Sequence, residues 1–218
     1  MNSHELKICK HIKQVAVDLH AKNMLAAADG NISVRLSTDY ILITPSGVSK
    51  ARMDPQDMAV INSSGQQMVG QASSEAQMHL AIYNMCPDAK AIVHAHPPAA
   101  VAWSIARPAD NELPSDSIAE LILSLGSLPI VPYSRPGTPE ASQALKAYLP
   151  DHRCLILARH GAICWGECLE EAHAGMERIE HSAMILSQAL RAGGLNPLPR
   201  EELKYLRRQR TKLGKKTT

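Results

Sequence analysis

Residues 91–96 read Ala91-Ile92-Val93-His94-Ala95-His96. Ala91, Ile92 and Val93 predict a buried strand, and on a strand residues two apart point to the same side. His94 and His96 therefore project together from a stiff backbone. Two neutral imidazoles aimed at one point are half of a tetrahedral zinc site. A third imidazole is available at His160, in Ala158-Arg159-His160-Gly161, where another apolar run, Cys154–Ala158, ends. A carboxylate is available at Glu75, in Ser73-Ser74-Glu75. One His at a strand end is ordinarily just a half-exposed polar residue, and H-x-H is a short pattern. The distant His in a strand-Gly context and the carboxylate at a helix start give it weight. Three His with an open fourth position is how a catalytic zinc is held.

Outward from this strand the chain alternates helices and hairpins. Ile8, Ile12, Val15 and Leu19 define a one-faced helix over residues 4–27, which Asp29-Gly30-Asn31 should break. Ile32–Leu36 with Tyr40–Thr44, and Met58–Ile61 with Gln67–Val69, read as two hairpins. Ser73-Ser74-Glu75 opens a helix carrying Ala76, Leu80 and Tyr83 on one face, with serine as the cap. Pro97-Pro98 starts another helix to about Ala106, and 107–114 is a polar loop. Ser115–Leu125 predicts a helix, Pro129–Tyr133 a strand, and Thr138–Tyr148 a helix with Pro in its first turn. Strands Leu155–Ala158 and Ala162–Trp165 meet at His160-Gly161. The last long helix carries Leu169, Ala172, Met176, Ile179, Ala183, Leu186 and Leu190, and Gly193-Gly194 closes it. That stripe is core packing. Hairpins and helices without strict βαβ alternation predict an α/β sandwich with a largely antiparallel sheet, in one domain.

Composition narrows the partners. The 218 residues carry a net charge of +2, so no strong field favours nucleic acid. Phe is absent, leaving Leu, Ile, Val, Ala and Met to build the core. No run approaches the ~18 apolar residues of a membrane span, and the N-terminus lacks the layout of a secretory signal. Five Cys without C-x-x-C spacing read as free thiols in a reducing cytoplasm. The tail from Arg191 holds nine Lys or Arg against Glu201 and Glu202. It reads first as a solvated, frayed terminus, with packing on a neighbouring subunit, as a basic lid over its site, the sharper alternative.

Five segments together resemble the class II aldolase/adducin family, and within it the L-fuculose-phosphate aldolases. They are Gly30-Asn31-Ile32-Ser33-Val34-Arg35, Ile43-Thr44-Pro45-Ser46-Gly47, Ser73-Ser74-Glu75 with His79, Val93-His94-Ala95-His96, and His160-Gly161-Ala162. The resemblance runs from about residue 5 to 195. It implies a single αβα-sandwich domain over 1–195 with a mostly antiparallel sheet, followed by a basic tail at 196–218. It also implies a cytoplasmic homotetramer and a zinc-dependent lyase that cleaves a ketose 1-phosphate to dihydroxyacetone phosphate and an aldehyde. By the resemblance His94, His96 and His160 hold the metal, Zn²⁺ with Mn²⁺ or Co²⁺ as alternatives. Glu75 works as acid/base and can also ligate, and Gly30, Asn31, Ser46, Gly47, Ser73 and Ser74 hold the phosphate. Small residues and hydroxyls at a helix N-terminus suit an anion.

Other readings stay open on the same scaffold. A pentulose-phosphate 4-epimerase typically has Asp in place of Glu75, so Glu75 favours the aldolase. A methylthioribulose-1-phosphate dehydratase is another enzyme class on this scaffold, and product identity decides between them. An adducin-like interaction module usually loses the metal ligands. The chain also departs from fuculose-phosphate aldolases, which carry a Tyr in the helix after the 107–114 loop and another in the C-terminal region. Here Ile118 and Arg210-Thr211-Lys212-Leu213 stand in those places, with Tyr205 nearby. A 5-deoxy or 5-methylthio sugar would need fewer polar contacts there.

Overall fold

The computed structural model describes residues 2–214. Its centre is one nine-stranded sheet. Along the chain the strands are β1 (Asn31–Arg35), β2 (Tyr40–Ile43), β3 (Ala59–Asn62), β4 (Gln67–Val69), β5 (Ala91–Ala95), β6 (Glu112–Leu113), β7 (Leu128–Val131), β8 (Cys154–Leu157) and β9 (Gly161–Gly166). Their order across the sheet is β4-β3-β2-β1-β5-β9-β8-β7-β6. Every pair is antiparallel except β7 with β8. That parallel pair needs a crossover, which the short helix α5 (Pro139–Leu145) supplies.

Strand alternation sorts the core into two layers. On β5, Ala91, Val93 and Ala95 join the cluster formed with α1 (Ser3–Ala21), α3 (Pro98–Ala106) and α6 (Leu169–Arg191), whereas Ile92 joins the cluster under α2 (Ala76–Met85) and α5. His94 shares the parity of Ile92 and emerges on the α2 side. The expected αβα sandwich with a mostly antiparallel sheet is the observed fold.

Two helices differ from the sequence expectation. The first stops at Ala21, short of residue 27, because Asn23 takes a left-handed conformation (φ 59°) and returns its N–H to the His20 carbonyl. Asn tolerates that cap geometry. The expected helix over 115–125 is split: a 3₁₀ turn at Ser115–Ser117, extended backbone at Ile118, and α4 (Ala119–Ser124). The Asp116 carbonyl is taken by the Leu198 N–H from the C-terminal region, 82 residues later in sequence.

The basic tail was expected to fray, but its described part is α7 (Arg200–Leu213). Leu206 is buried and Arg210 Nη1 donates to the Leu123 carbonyl on α4. No helix of the described residues is long and apolar enough to cross a membrane.

Candidate active site

The site lies where β5 ends and β9 begins. In the β5–β9 ladder His94 sits opposite Ile163 and Ala95 opposite Ala162. His160 comes from the tight turn that joins β8 to β9, in which Arg159 adopts φ 60° and His160 N–H closes on the Leu157 carbonyl. The three rings pack edge to face with centroids 4.9–5.1 Å apart. One ligating nitrogen from each of His94, His96 and His160 lies within 4.8 Å of the others, and no other such metal-ligating group occurs among the described residues.

Backbone and neighbours fix these rings. His94 is fully buried, and its Nδ1–H donates to the Ala162 carbonyl at 2.8 Å. That bond leaves the Nε2 lone pair facing the other rings, as a metal ligand requires. His96 N–H is tied to the Met24 carbonyl, and its Nδ1 lies 3.7 Å from Asp29. Burial, with His94 and His160 alongside, lowers His96 to about 3, so the imidazole is neutral at pH 7. Gly161 makes room for the cluster. A Cβ there would lie 2.5 Å from the Ala95 carbonyl oxygen and 2.8 Å from the His96 ring.

Glu75 arrives from the opposite direction, one residue before α2. Its Oε2 is 3.2 Å from His94 Nε2 and its Oε1 3.2 Å from His160 Nε2. Burial alone would raise this carboxyl. The contacts with His160 and His94 outweigh that and hold it well below the usual carboxylate range. Oε2 also accepts from Asn31 Nδ2 at 2.9 Å. Oε1 is buried and has no hydrogen-bond partner. A buried, unsatisfied charged oxygen costs ~1–3 kcal/mol or more, and the His94 Nε2 lone pair beside Oε2 adds repulsion. A divalent cation among these atoms removes both costs, so the donor set fits a metal.

The remaining expected residues line the same cavity, of about 300 Å³. Gly30, Ser46, Gly47, Ser73 and Ser74 line it together with Glu75, His96 and His160. Ser73 Oγ accepts the Glu75 N–H at 3.3 Å, which places Ser73 at the entry to α2. Asn31, expected to contact phosphate, also lines the cavity, but both ends of its amide are engaged, by Glu75 and by His79 Nε2 at 2.5 Å.

Four lining residues were not among the expected site residues, Ala28, Asp29, Lys50 and Pro136, and two of them are charged. Lys50 is 3% exposed and its Nζ donates to the Ala28 and Val48 carbonyls at 2.5 and 3.0 Å. Burial lowers its pKa, against the pull of Asp29 and Glu75. Among the described residues it is the one Lys or Arg on the cavity wall. Its only sequence signal is its place three residues after the Ser46-Gly47 turn. Ile118, Tyr205 and the described residues of α7 lie outside the lining.

Comparison with known proteins agrees with this geometry. The chain is 30% identical over 188 residues to the 3-oxo-tetronate 4-phosphate decarboxylase of Escherichia coli K12, covering 84% of this chain and 87% of that one. It is 31% identical over 186 residues to the 5-deoxy-D-ribulose 1-phosphate aldolase of Bacillus thuringiensis serovar kurstaki, covering 81% and 83%. Among solved structures, YgbL from Escherichia coli, assigned no more closely than aldolase, epimerase or decarboxylase, superposes with a TM-score of 0.87. It is 28% identical, with 94% of this chain and 100% of that one covered. The L-fuculose-1-phosphate aldolase of Thermus thermophilus gives a TM-score of 0.77 at 34% identity, covering 90% and 100%. The model of the class II aldolase and adducin N-terminal domain family matches residues 10–187, and the chain belongs to that family.

Proposed function

We propose that this protein is a metal-dependent lyase that breaks a carbon–carbon bond beside a ketone in a small phosphorylated substrate. The reading is carried by the convergence of three imidazoles and a buried carboxylate with one unsatisfied oxygen beside a Gly/Ser-lined cavity. His94, His96 and His160 would hold the metal, with Zn²⁺ the expected ion and Mn²⁺ or Co²⁺ able to use the same ligands. When bound, the metal supplies a Lewis acid that polarises the ketone and stabilises the negative charge left by bond breaking.

The chain's own residues do the rest. Gly30, Ser46, Gly47, Ser73 and Ser74 would take the phosphate, helped by the N-terminus of α2 and by the Lys50 ammonium. Asn31 holds Glu75 Oε2, and Oε1 would move the proton at the carbon that loses its bond. The leading reaction is retro-aldol cleavage of a ketose 1-phosphate, with a 5-deoxy pentulose 1-phosphate among the candidates, to dihydroxyacetone phosphate and an aldehyde.

A second reading is decarboxylation of a phosphorylated 3-oxo acid. It is favoured by the decarboxylase relatives and by the lining of the cavity, where among the described residues no Tyr stands ready to take the hydroxyl proton at the carbon that leaves as aldehyde. The two reactions meet in one product. Loss of C1 as CO₂ from 3-oxo-tetronate 4-phosphate also leaves dihydroxyacetone phosphate. The retained half of the substrate is then the same, and only the leaving fragment differs. A coupled assay for dihydroxyacetone phosphate, run on ketose 1-phosphates and on 3-oxo-tetronate 4-phosphate, tests both readings. Aldehyde beside the triose phosphate selects the first, CO₂ the second, and absence of the triose phosphate from every substrate rejects both. Homotetramer formation and a cytoplasmic location are part of the same proposal.

A further inference from the structure

Behind Glu75 runs a line of polar side chains buried in the core. Asn31 Nδ2 meets Glu75 Oε2 at 2.9 Å, Asn31 Oδ1 meets His79 Nε2 at 2.5 Å, His79 Nδ1 meets Ser33 Oγ at 2.6 Å, and Ser33 Oγ meets the Tyr83 hydroxyl at 2.8 Å. His79 and Ser33 are 0% exposed, and Asn31 and Tyr83 are buried with them. A buried network of this length is stable only when every member is satisfied. Two elements contribute: β1 gives Asn31 and Ser33, α2 gives His79 and Tyr83, and Glu75 stands just before α2.

Chemistry gives each bond one sense. A carboxylate only accepts, so the Asn31 group facing Oε2 is its NH₂. Its Oδ1 therefore faces His79, whose Nε2 carries a hydrogen. Burial lowers His79 to about 3, leaving it neutral, so its Nδ1 is bare. Ser33 donates to that nitrogen and accepts from Tyr83, whose hydroxyl burial keeps protonated by raising its pKa. Arg35 backs the far end, its guanidinium 4.6 Å from the centre of the Tyr83 ring and its Nη2 donating to the Tyr83 carbonyl at 2.7 Å. The titratable groups that act on His79 from around it are His94, which lowers it further, and Glu75 beyond Asn31, which opposes that, while Arg35 lies beyond Tyr83. The hydrogen bonds of the imidazole go to Asn31 and Ser33.

We infer that His79 is a positioning residue: through Asn31, and held in one tautomer by Ser33 and Tyr83, it fixes Glu75 with Oε2 anchored and Oε1 presented to the reaction. This rests on the role of Glu75 proposed above. A generic buried network would stabilise the fold. This one also selects which face of the Asn31 amide meets the carboxylate. Reversing it would set a carbonyl oxygen against a carboxylate oxygen.

The test uses the full-length, metal-loaded protein. In ¹⁵N-labelled protein one imidazole should show a proton on Nε2 and a bare Nδ1, unchanged from pH 5 to pH 9 and absent in His79→Gln. Ser33→Ala removes the donor to Nδ1, and Tyr83→Phe removes only the terminal hydroxyl. Outer partners of a metal site are worth about 10–100-fold in activity. Ser33→Ala should lose that much kcat, and Tyr83→Phe less, with KM within about twofold and metal content unchanged. The visible spectrum of the Co²⁺-loaded protein should shift in Ser33→Ala at unchanged Co²⁺ content. A His79 imidazole that titrates between pH 5 and pH 8, a wild-type kcat in Ser33→Ala, or an unshifted Co²⁺ spectrum overturns the inference. If His79→Gln fails to fold, the wild-type ¹⁵N spectrum and the two milder variants decide. If no substrate turns over in the wild type, the proposed reaction fails, while the ¹⁵N and Co²⁺ spectra still judge the positioning of Glu75.

Discussion

The histidine wall of the cavity is held at the ends of paired strands in the middle of the sheet, whereas the rest of the lining is made mostly of turns. His94 is locked by the β5–β9 ladder and by Ala162, and His160 by a three-residue turn between two strands. In the turns Gly30 and Gly47 sit at positive φ, and Lys50 links the Ala28 and Val48 backbones into one rim. Stiff strands suit ligands that must meet at one point, since positioning errors on the order of 1 Å cost about 10²-fold in rate. Turns suit an anion, which backbone N–H groups can approach closely where no side chain intervenes. Glu75 belongs to both walls: its backbone follows the Ser73-Ser74 turn and its carboxylate reaches the rings.

Substitutions can break that division or sharpen it. The largest effect is expected on the strand wall. His160→Ala should release the metal and remove turnover, measured by metal content of purified protein alongside the triose phosphate assay. One full equivalent of metal retained by the triple variant of His94, His96 and His160 would move the site elsewhere. Glu75→Gln comes next. It should keep the fold and most of the metal while lowering kcat by about 10²–10⁴-fold, the usual worth of a general acid/base. A loss under about tenfold would take Glu75 out of proton transfer. The turn wall should respond more gently and in a different parameter. Lys50→Met keeps the length of the side chain and removes its charge. With two carbonyl partners lost and one cation removed from the anion side, KM should rise about tenfold, since a charge-assisted hydrogen bond is worth ~1.5–3 kcal/mol, while kcat changes less. A mainly kcat effect would place Lys50 with the reacting atoms instead.

The strand wall was legible in the sequence and the turn wall only partly. H-x-H on an apolar run fixes two rings by strand period alone, and a His at a strand-Gly junction is a recognisable third. Glu75 was legible as a residue at a helix start. The residues expected to hold phosphate were read from their kind and from the family resemblance, since no periodicity tells where a turn will lie. Lys50 was missed for that reason. Its burial depends on the Ala28 carbonyl, brought across by the end of the first helical segment, and nothing in Val48–Lys50 announces it. His79 was visible in a motif, but its partners Ser33 and Asn31 lie on another element, and the direction of their hydrogen bonds exists only once α2 lies against β1. The C-terminal helix was misread as frayed because its charge is local, whereas its anchor, the carbonyl of Leu123, is 87 residues away in sequence.

The close approach at Gly161 bears on how such a protein can change. The backbone there leaves no room for even one methyl group against Ala95 and the His96 ring. The three imidazoles thus form a unit with almost no mutational freedom, guarded by a position that takes no part in the chemistry. A lineage that needs a new substrate has little scope to reshape this half of the cavity. Change on the turn side meets a different limit: Gly47 has open space around it but holds a positive φ, so there it is backbone conformation, and not a neighbouring ring, that restricts what can replace it.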